Sequence, residues 1–177
     1  MHIRTLAVIV GIAAGCLGPG ATPTLAQPLR LSSLEAVTGH AGFVDEAWDH
    51  RVMAGGTARF ALTPRLTVGP EVVYLRGAHG AHDLTVTGTG TFDLLPPTSG
   101  RRVVPFVVFG AGLIRQTSLV GGGPGIVGLF PYSTSEGTLS GGIGARFALG
   151  RTIFVAPDVR LGWEPETRVS VALGWRR

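Results

Sequence analysis

Residues 168–175 are Arg168-Val169-Ser170-Val171-Ala172-Leu173-Gly174-Trp175, in which every second residue is large and apolar. The residues between them are polar or small. Side chains of a β-strand point alternately to its two faces, so this period of two predicts a strand with one apolar face.

The same pattern recurs along the chain and predicts eight strands, at residues 34–44, 51–62, 66–75, 83–94, 102–114, 134–149, 152–163 and 168–175. The sequence offers no amphipathic helix to cover their apolar faces, as a soluble protein would require. A sheet that closes on itself and faces lipid satisfies the pattern. We therefore predict an all-β fold, an eight-stranded antiparallel up-and-down transmembrane β-barrel.

The sequence does not determine the phase of two strands, that is, which of their side chains face outward. In the first, Val37, Ala41 and Phe43 alternate with Thr38, His40 and Gly42. The fifth is apolar on both faces, so alternation does not say which side chains face lipid.

The connections predict two different rims. Those after strands two, four and six are short, whereas those after strands one, three and five are longer, and the longest is a loop over 115–133. This asymmetry is typical of outer-membrane barrels, with both chain ends on the side of the short turns.

The first 26 residues have the pattern of a secretory signal peptide: a charged start, a short apolar run and the small-residue ending Thr24-Leu25-Ala26. We therefore predict a signal peptide over 1–26 and one barrel domain over 27–177. Ala13-Ala14-Gly15-Cys16 also resembles a lipoprotein processing site, in which Cys16 would carry lipid. The mature fold has no disulfide under either interpretation.

All 15 basic residues are arginine, and 14 of them follow residue 26, against 11 acidic residues. They are spread along the chain, without a basic helix or an aromatic platform. This distribution does not indicate nucleic-acid binding.

If the apolar faces meet lipid, the charged residues of the strands face the lumen. An eight-stranded barrel is just wide enough for side chains to fill its interior. Buried charges are costly unless paired, so we expect a network of ion pairs that plugs the lumen. A narrow polar path for small solutes is the alternative. The predicted lumen residues are Arg51, Arg59, Arg146, Arg160 and Arg168 together with Glu71, Asp83, Asp93 and Asp158.

Aromatic residues fall near the two ends of the predicted strands. Such residues form belts at the two membrane interfaces. Near the loops lie Phe43, Tyr74, Trp163 and Tyr132, and near the turns lie Phe60, Phe92, Phe147 and Trp175.

The sequence contains candidate residues for a metal site and for a catalytic site, but it predicts neither. His40, His50, His79 and His82 could meet at one rim and hold a transition metal, but their spacing is not diagnostic. Ser133, Ser135 and Glu136 would need a nearby histidine to act on a lipid, and no hydrolase motif is present. We therefore expect no catalytic residue, no metal and no cofactor.

Three segments carry a family resemblance: residues 102–113, the glycine-rich 139–147 and the closing 169–175. They resemble the bacterial outer-membrane β-barrel domain family, akin to the small OmpA- and OmpX-type barrels. The resemblance implies a place in a Gram-negative outer membrane and assembly by the barrel-assembly machinery. Members usually end on an aromatic residue that helps assembly, and here Trp175 holds that position, followed by Arg176 and Arg177.

The function predicted from these observations is structural or adhesive, through the loops, for a monomeric barrel in contact with outer-membrane lipids. A protein of another class remains as the alternative: a soluble or lipid-anchored periplasmic barrel that binds a small apolar ligand. That barrel would turn its apolar residues inward.

Overall fold

The computed structural model describes residues 30–43, 50–77, 81–96, 101–121, 129–163 and 166–176. The predicted signal peptide, Cys16 and His79 lie outside these ranges. Among the described residues, no helix is long and apolar enough to cross a membrane. The strands are β1 (Arg30–Phe43), β2 (His50–Ala61), β3 (Leu66–Arg76), β4 (His82–Asp93), β5 (Val103–Gly121), β6 (Leu129–Ala148), β7 (Ile153–Gly162) and β8 (Glu166–Arg176).

The eight strands form a closed antiparallel barrel in which each pairs with its neighbours in sequence. β8 completes the ring by pairing with β1, from Phe43 opposite Glu166 to Ser33 opposite Arg176. Closure gives the backbone groups of the wall a partner on both sides, which a lipid environment demands. The predicted fold class is confirmed.

The barrel wall separates apolar side chains from charged ones. The predicted apolar residues of β2, β3, β4, β6, β7 and β8 point outward, whereas Arg59, Glu71, Asp158 and Arg160 are buried inside. The exposed outer residues include Val52, Val72, Leu84, Val86, Phe92, Leu139, Ile143, Val159, Leu161, Val169, Val171 and Leu173. This arrangement is the reverse of a soluble barrel with an apolar cavity.

The structure settles the phase of β1. Leu34 is 48% exposed on the outer face, and Glu35 beside it is 7% exposed inside the barrel. Val37 and Ala41 consequently also face the lumen and are buried. A carboxylate in the hydrocarbon region would be costly, so the inward position of Glu35 determines the phase of the strand.

The phase of β5 follows from its even-numbered residues, which point inward. Phe106, Val108 and Ile114 are buried in the lumen, whereas Phe109 and Leu113 are exposed outside. β5 thus supplies apolar packing to both sides of the wall, which is why its sequence does not alternate.

The predicted loop over 115–133 is wrong for most of its length. β5 and β6 stay paired from Arg115 opposite Ser135 to Gly121 opposite Leu129. Threonine, valine and aromatic residues favour strands here, and the glycine-rich run is confined to the connection between them. We call the paired segments 117–121 and 129–133 the hairpin extension.

The hairpin extension continues past both neighbouring strands. β4 begins at His82, opposite Thr117, and β7 ends at Gly162, opposite Ser140. We call the end of the barrel that carries it the loop rim, and the opposite end, with the connections after β2, β4 and β6, the turn rim.

The predicted difference in connection length is also partly wrong. The connection after β3 spans 77–81, whereas the turn-rim connection after β4 spans 94–102 and is longer. The two rims therefore differ chiefly through the hairpin extension.

Candidate functional site

The centre of the lumen is organised around the carboxylate of Glu71. The Nη1 and Nη2 atoms of Arg160 donate to its two oxygens, at 3.0 and 3.2 Å, and Nη1 of Arg168 donates to Oε1 at 2.7 Å. The Nη2 atom of Arg59 lies 4.0 Å from Oε2. One carboxylate is thus faced by three guanidinium groups, whose charges require further acids.

Two more acids meet that requirement. Nε of Arg59 lies 3.1 Å from each oxygen of Glu35, and its Nη1 donates to Thr89 Oγ1 at 3.1 Å. On the other side, Arg160 donates to Asp158 Oδ2 from Nη2 at 2.7 Å and from Nε at 3.0 Å. Three arginines and three acids therefore form one connected central network.

Ser170 completes the central network by hydrogen bonding to the other oxygen of Asp158, Oδ1. Ser170 and Asp158 face each other across the β7–β8 pair, and both are buried. Buried ionic groups are stabilising only when their remaining hydrogen-bonding sites are also satisfied, and the serine provides one such partner.

A second ion pair lies toward the turn rim, where Nη1 of Arg146 donates to both oxygens of Asp93, at 3.0 and 3.2 Å. The guanidinium carbon of Arg146 sits 5.2 Å from the ring centre of Phe106 and 5.3 Å from that of Phe154, within cation–π range. The Phe154 ring lies against Gly174, where a Cβ would come within 2.1 Å of it. These groups lie at the turn-rim end of the lumen.

A third ion pair, between Arg51 and Asp83, lies toward the loop rim. Buried Met53, Leu75 and Ile114 provide apolar surface on the lumen side of the neighbouring strands.

The structure thus places all nine predicted lumen residues on the inner face, but in three groups rather than one. Sequence analysis missed the tenth member, Glu35, because the phase of its strand was open. With Glu35, the described lumen pairs comprise five arginines and five acids.

A cavity of about 30 Å³ lies between Arg160, Arg168 and the hydroxyl-bearing residues Thr85, Thr87, Thr138 and Ser140. Within the described part of the chain, Nε and Nη2 of Arg168 have no hydrogen-bond partner. The cavity holds about one water molecule, which would satisfy such donors.

The aromatic residues lie on the outer face, near the two ends of the wall. Tyr74 and Trp163 are exposed near the loop rim, and Phe92, Phe147 and Trp175 are exposed near the turn rim. Phe60 is half-buried beside Leu31, and the side chain of Phe43 lies outside the described residues. Exposed Tyr132 lies in the hairpin extension, away from the wall.

The residues considered for metal binding or catalysis are dispersed where they are described. His40 is exposed, and His82 stacks on Tyr74 with ring centres 5.9 Å apart. No group of three or more metal-ligating side chains occurs in the described ranges. Ser133 accepts a hydrogen bond from Nε of Arg115 at 3.0 Å, and Glu136 accepts one from Thr134 at 3.5 Å.

These features define a class by its fold: the small eight-stranded transmembrane barrels, with an apolar outer wall and a polar interior. Three solved structures share the fold. Neisserial surface protein A is 10% identical, with a TM-score of 0.63 over 82% of this chain and 95% of that one. The N-terminal β-barrel domain of Pseudomonas aeruginosa OprF is 13% identical, with a TM-score of 0.57 over 83% and 98%.

The third structure is Ail, the attachment invasion locus protein of Yersinia pestis, at 14% identity, with a TM-score of 0.52 over 81% and 93% of the two chains. No protein-family model matches the chain, and no curated protein matches it.

Proposed function

We propose that this chain is an exported, monomeric outer-membrane barrel with a structural or adhesive role, whose lumen is closed to solutes. The observation that carries the proposal is the apolar outer wall around an interior of five arginines and five paired acids. An exposed apolar surface of this extent needs lipid around it. An interior whose charges are paired supports a lumen closed by side chains.

The hairpin extension supports the adhesive part of the proposal. The Trp163 amide donates to the Leu139 carbonyl at 2.8 Å, so the odd-numbered residues of β6 direct their backbone groups toward the β7 side. Beyond Leu139 no described strand pairs with this edge. Ser133, Ser135 and Gly137 thus present a short row of backbone donors and acceptors to which an extended partner segment could add.

Two of the similar structures are named as surface or attachment proteins, the Neisserial surface protein A and the Yersinia pestis attachment invasion locus protein. Those names support a contact role at the cell surface for this chain. The barrel-assembly machinery is the proposed partner during insertion, and outer-membrane lipids are the partners afterwards.

Shortening the hairpin extension tests the adhesive role. Gln116 and Thr134 face each other in the ladder, so an Asn-Gly turn can replace residues 117–133 without disturbing the wall. We expect cells that display the shortened barrel to attach to one another and to cultured epithelial cells no better than cells without it. Equal attachment by the full-length and shortened barrels, at matched surface levels, would contradict this role.

Single-barrel conductance tests the closed lumen. We expect the purified protein to give no discrete current steps in planar bilayers in concentrated KCl, because the central network fills the lumen. The double substitution Glu71→Ala with Arg160→Ala removes one charge of each sign and should produce steps. Steady conductance by the unaltered barrel would instead support the alternative of a narrow pore.

Extraction separates the proposal from the soluble ligand-binding barrel. An integral barrel stays in the membrane fraction through an alkaline carbonate wash and needs detergent for release. Release by carbonate alone would favour the soluble protein.

A further inference from the structure

Outside the lumen, the charges of the barrel are distributed unequally between its two ends. Six described arginines lie at the turn rim and are exposed: Arg30, Arg65, Arg101, Arg102, Arg151 and Arg176. Among the described residues of the turn-rim connections and strand ends, Asp93 is the only acid, and it pairs with Arg146 inside the barrel. The turn rim is therefore strongly positive.

The acids that do not pair inside the lumen fall, in the sequence, next to the strand ends of the loop rim. Asp45, Glu46 and Asp49 fall between β1 and β2, Glu136 lies in β6 near the hairpin extension, Glu164 precedes β8 and Glu166 begins it. The net positive charge of the chain is thus concentrated on the turn side.

An apolar groove of about 680 Å³ lies on the outer wall in the turn-side half of the barrel, across β8, β1, β2 and β3. Leu34, Leu173, Trp175 and Val72 stand around it. The groove forms because the outward residues at its floor are small. These residues are Ala36, Gly56 and Ala58. Four strands at about 4.8 Å spacing make the groove roughly 14 Å long, enough for part of an extended acyl chain.

The groove and the positive charge meet at one place. Arg176 follows Trp175 directly, and its amide donates to the Thr152 carbonyl at 2.7 Å, next to Ile153 in the groove wall. Arg151 lies two residues before Ile153. Arg30 begins β1, four residues before Leu34. Arg176 pairs with Ser33 and Arg30 with Ala61, both positions of the lumen side of the wall, so these two arginines stand at the edge of the rim and Arg151 stands in the β6–β7 turn. An apolar groove that ends below exposed rim arginines matches an acyl chain attached to a negatively charged headgroup.

We propose that this groove and the arginines at its end bind an anionic diacyl phospholipid from the leaflet on the turn side. One acyl chain lies over Ala36, Gly56 and Ala58, and the phosphate is held by Arg151 and by Arg176, whose exposed side chain reaches outward over the edge of the rim. The site rests on the proposed membrane location of the barrel and adds a specific lipid to it.

Trp175 lines the groove and reports on the site directly. The chain has three tryptophans, so the variant Trp48→Phe with Trp163→Phe leaves Trp175 as the single fluorophore. This variant is folded into phosphatidylcholine vesicles that contain a minor fraction of either phosphatidylglycerol or phosphatidylcholine brominated on its acyl chains. Bromine quenches tryptophan only at contact, so the comparison measures which lipid occupies the groove.

We expect brominated phosphatidylglycerol to be preferred at Trp175 by at least about fivefold, the contribution of roughly one arginine near an anionic headgroup. Arg151→Gln with Arg176→Gln should abolish the preference. The matched control, Arg101→Gln with Arg102→Gln, removes the same charge from the β5 side of the ring and should retain it.

A second pair of variants tests the groove itself. Ala58→Leu fills it and should reduce quenching by phosphatidylglycerol. Gly141→Leu adds a similar bulk on β6, where a Cβ meets no atom within 4 Å, and should leave quenching unchanged. Equal quenching by the two lipids, or a preference that survives the Arg151 and Arg176 substitutions, would overturn the site. Failure of the barrel to enter the vesicles at all would contradict the membrane location instead.

Discussion

Glu71→Gln is expected to lower the free energy of unfolding by about 3–5 kcal/mol, the usual cost of removing one partner of a buried ion pair. Its carboxylate accepts hydrogen bonds from Arg160 and Arg168 and lies near Arg59. The substitution keeps the shape of the side chain but leaves three guanidinium groups with two acids. Denaturant unfolding of the barrel in detergent micelles measures the change.

Glu136→Gln is the matched control for this experiment. Glu136 is half-buried near the loop rim, and its described partner is the Thr134 hydroxyl at 3.5 Å. We expect a loss within about 0.5 kcal/mol, as for ordinary surface substitutions. If Glu71→Gln were equally mild, the central network would not be a stabilising element of the lumen.

The architecture of the barrel was predictable from the sequence because lipid imposes a simple rule on each strand. In β4, Leu84 and Val86 face outward while Asp83 and Thr87 face inward, as the alternation predicts. The same rule identified the arginines of the lumen. It needs only local sequence, since the outer environment is uniform along every strand.

Glu35 shows where local sequence was insufficient. Its strand carries apolar residues on the inner face, Val37 and Ala41, which alternation alone would place outside. The phase of β1 depends on Arg59 of β2, 24 residues away, whose Nε donates a hydrogen bond to the Glu35 carboxylate. A strand's phase can thus be set by an ion pair with another strand.

The sequence predicted a loop in place of the hairpin extension, for a different reason. Above the membrane the outer face of a strand no longer meets lipid, so the apolar alternation stops although the backbone ladder continues. Thr117 and Ser133 therefore look like loop residues but pair with each other. The grouping of lumen charges into three layers was also beyond sequence analysis, because it depends on the relative heights of eight strands.

The second large effect on the free energy of unfolding is expected from substitutions on the outer wall. Ile143 in β6 and Leu149, the residue that follows β6, are each 66% exposed. Ile143 lies five residues from the turn-rim end of β6 at Ala148. At a rise of about 3.4 Å per residue and a tilt of about 40°, this is roughly 13 Å from that end, near the middle of an apolar band about 25 Å tall. Leu149 lies at the turn itself.

The most direct measurement is therefore the unfolding free energy of Ile143→Arg and Leu149→Arg in lipid vesicles. An arginine at mid-depth in hydrocarbon costs about 2–4 kcal/mol, whereas one at the interface costs about 0–1 kcal/mol. We predict this difference between two equally exposed positions. Equal and small costs at both would mean that water covers the outer wall, and would contradict a membrane-spanning barrel.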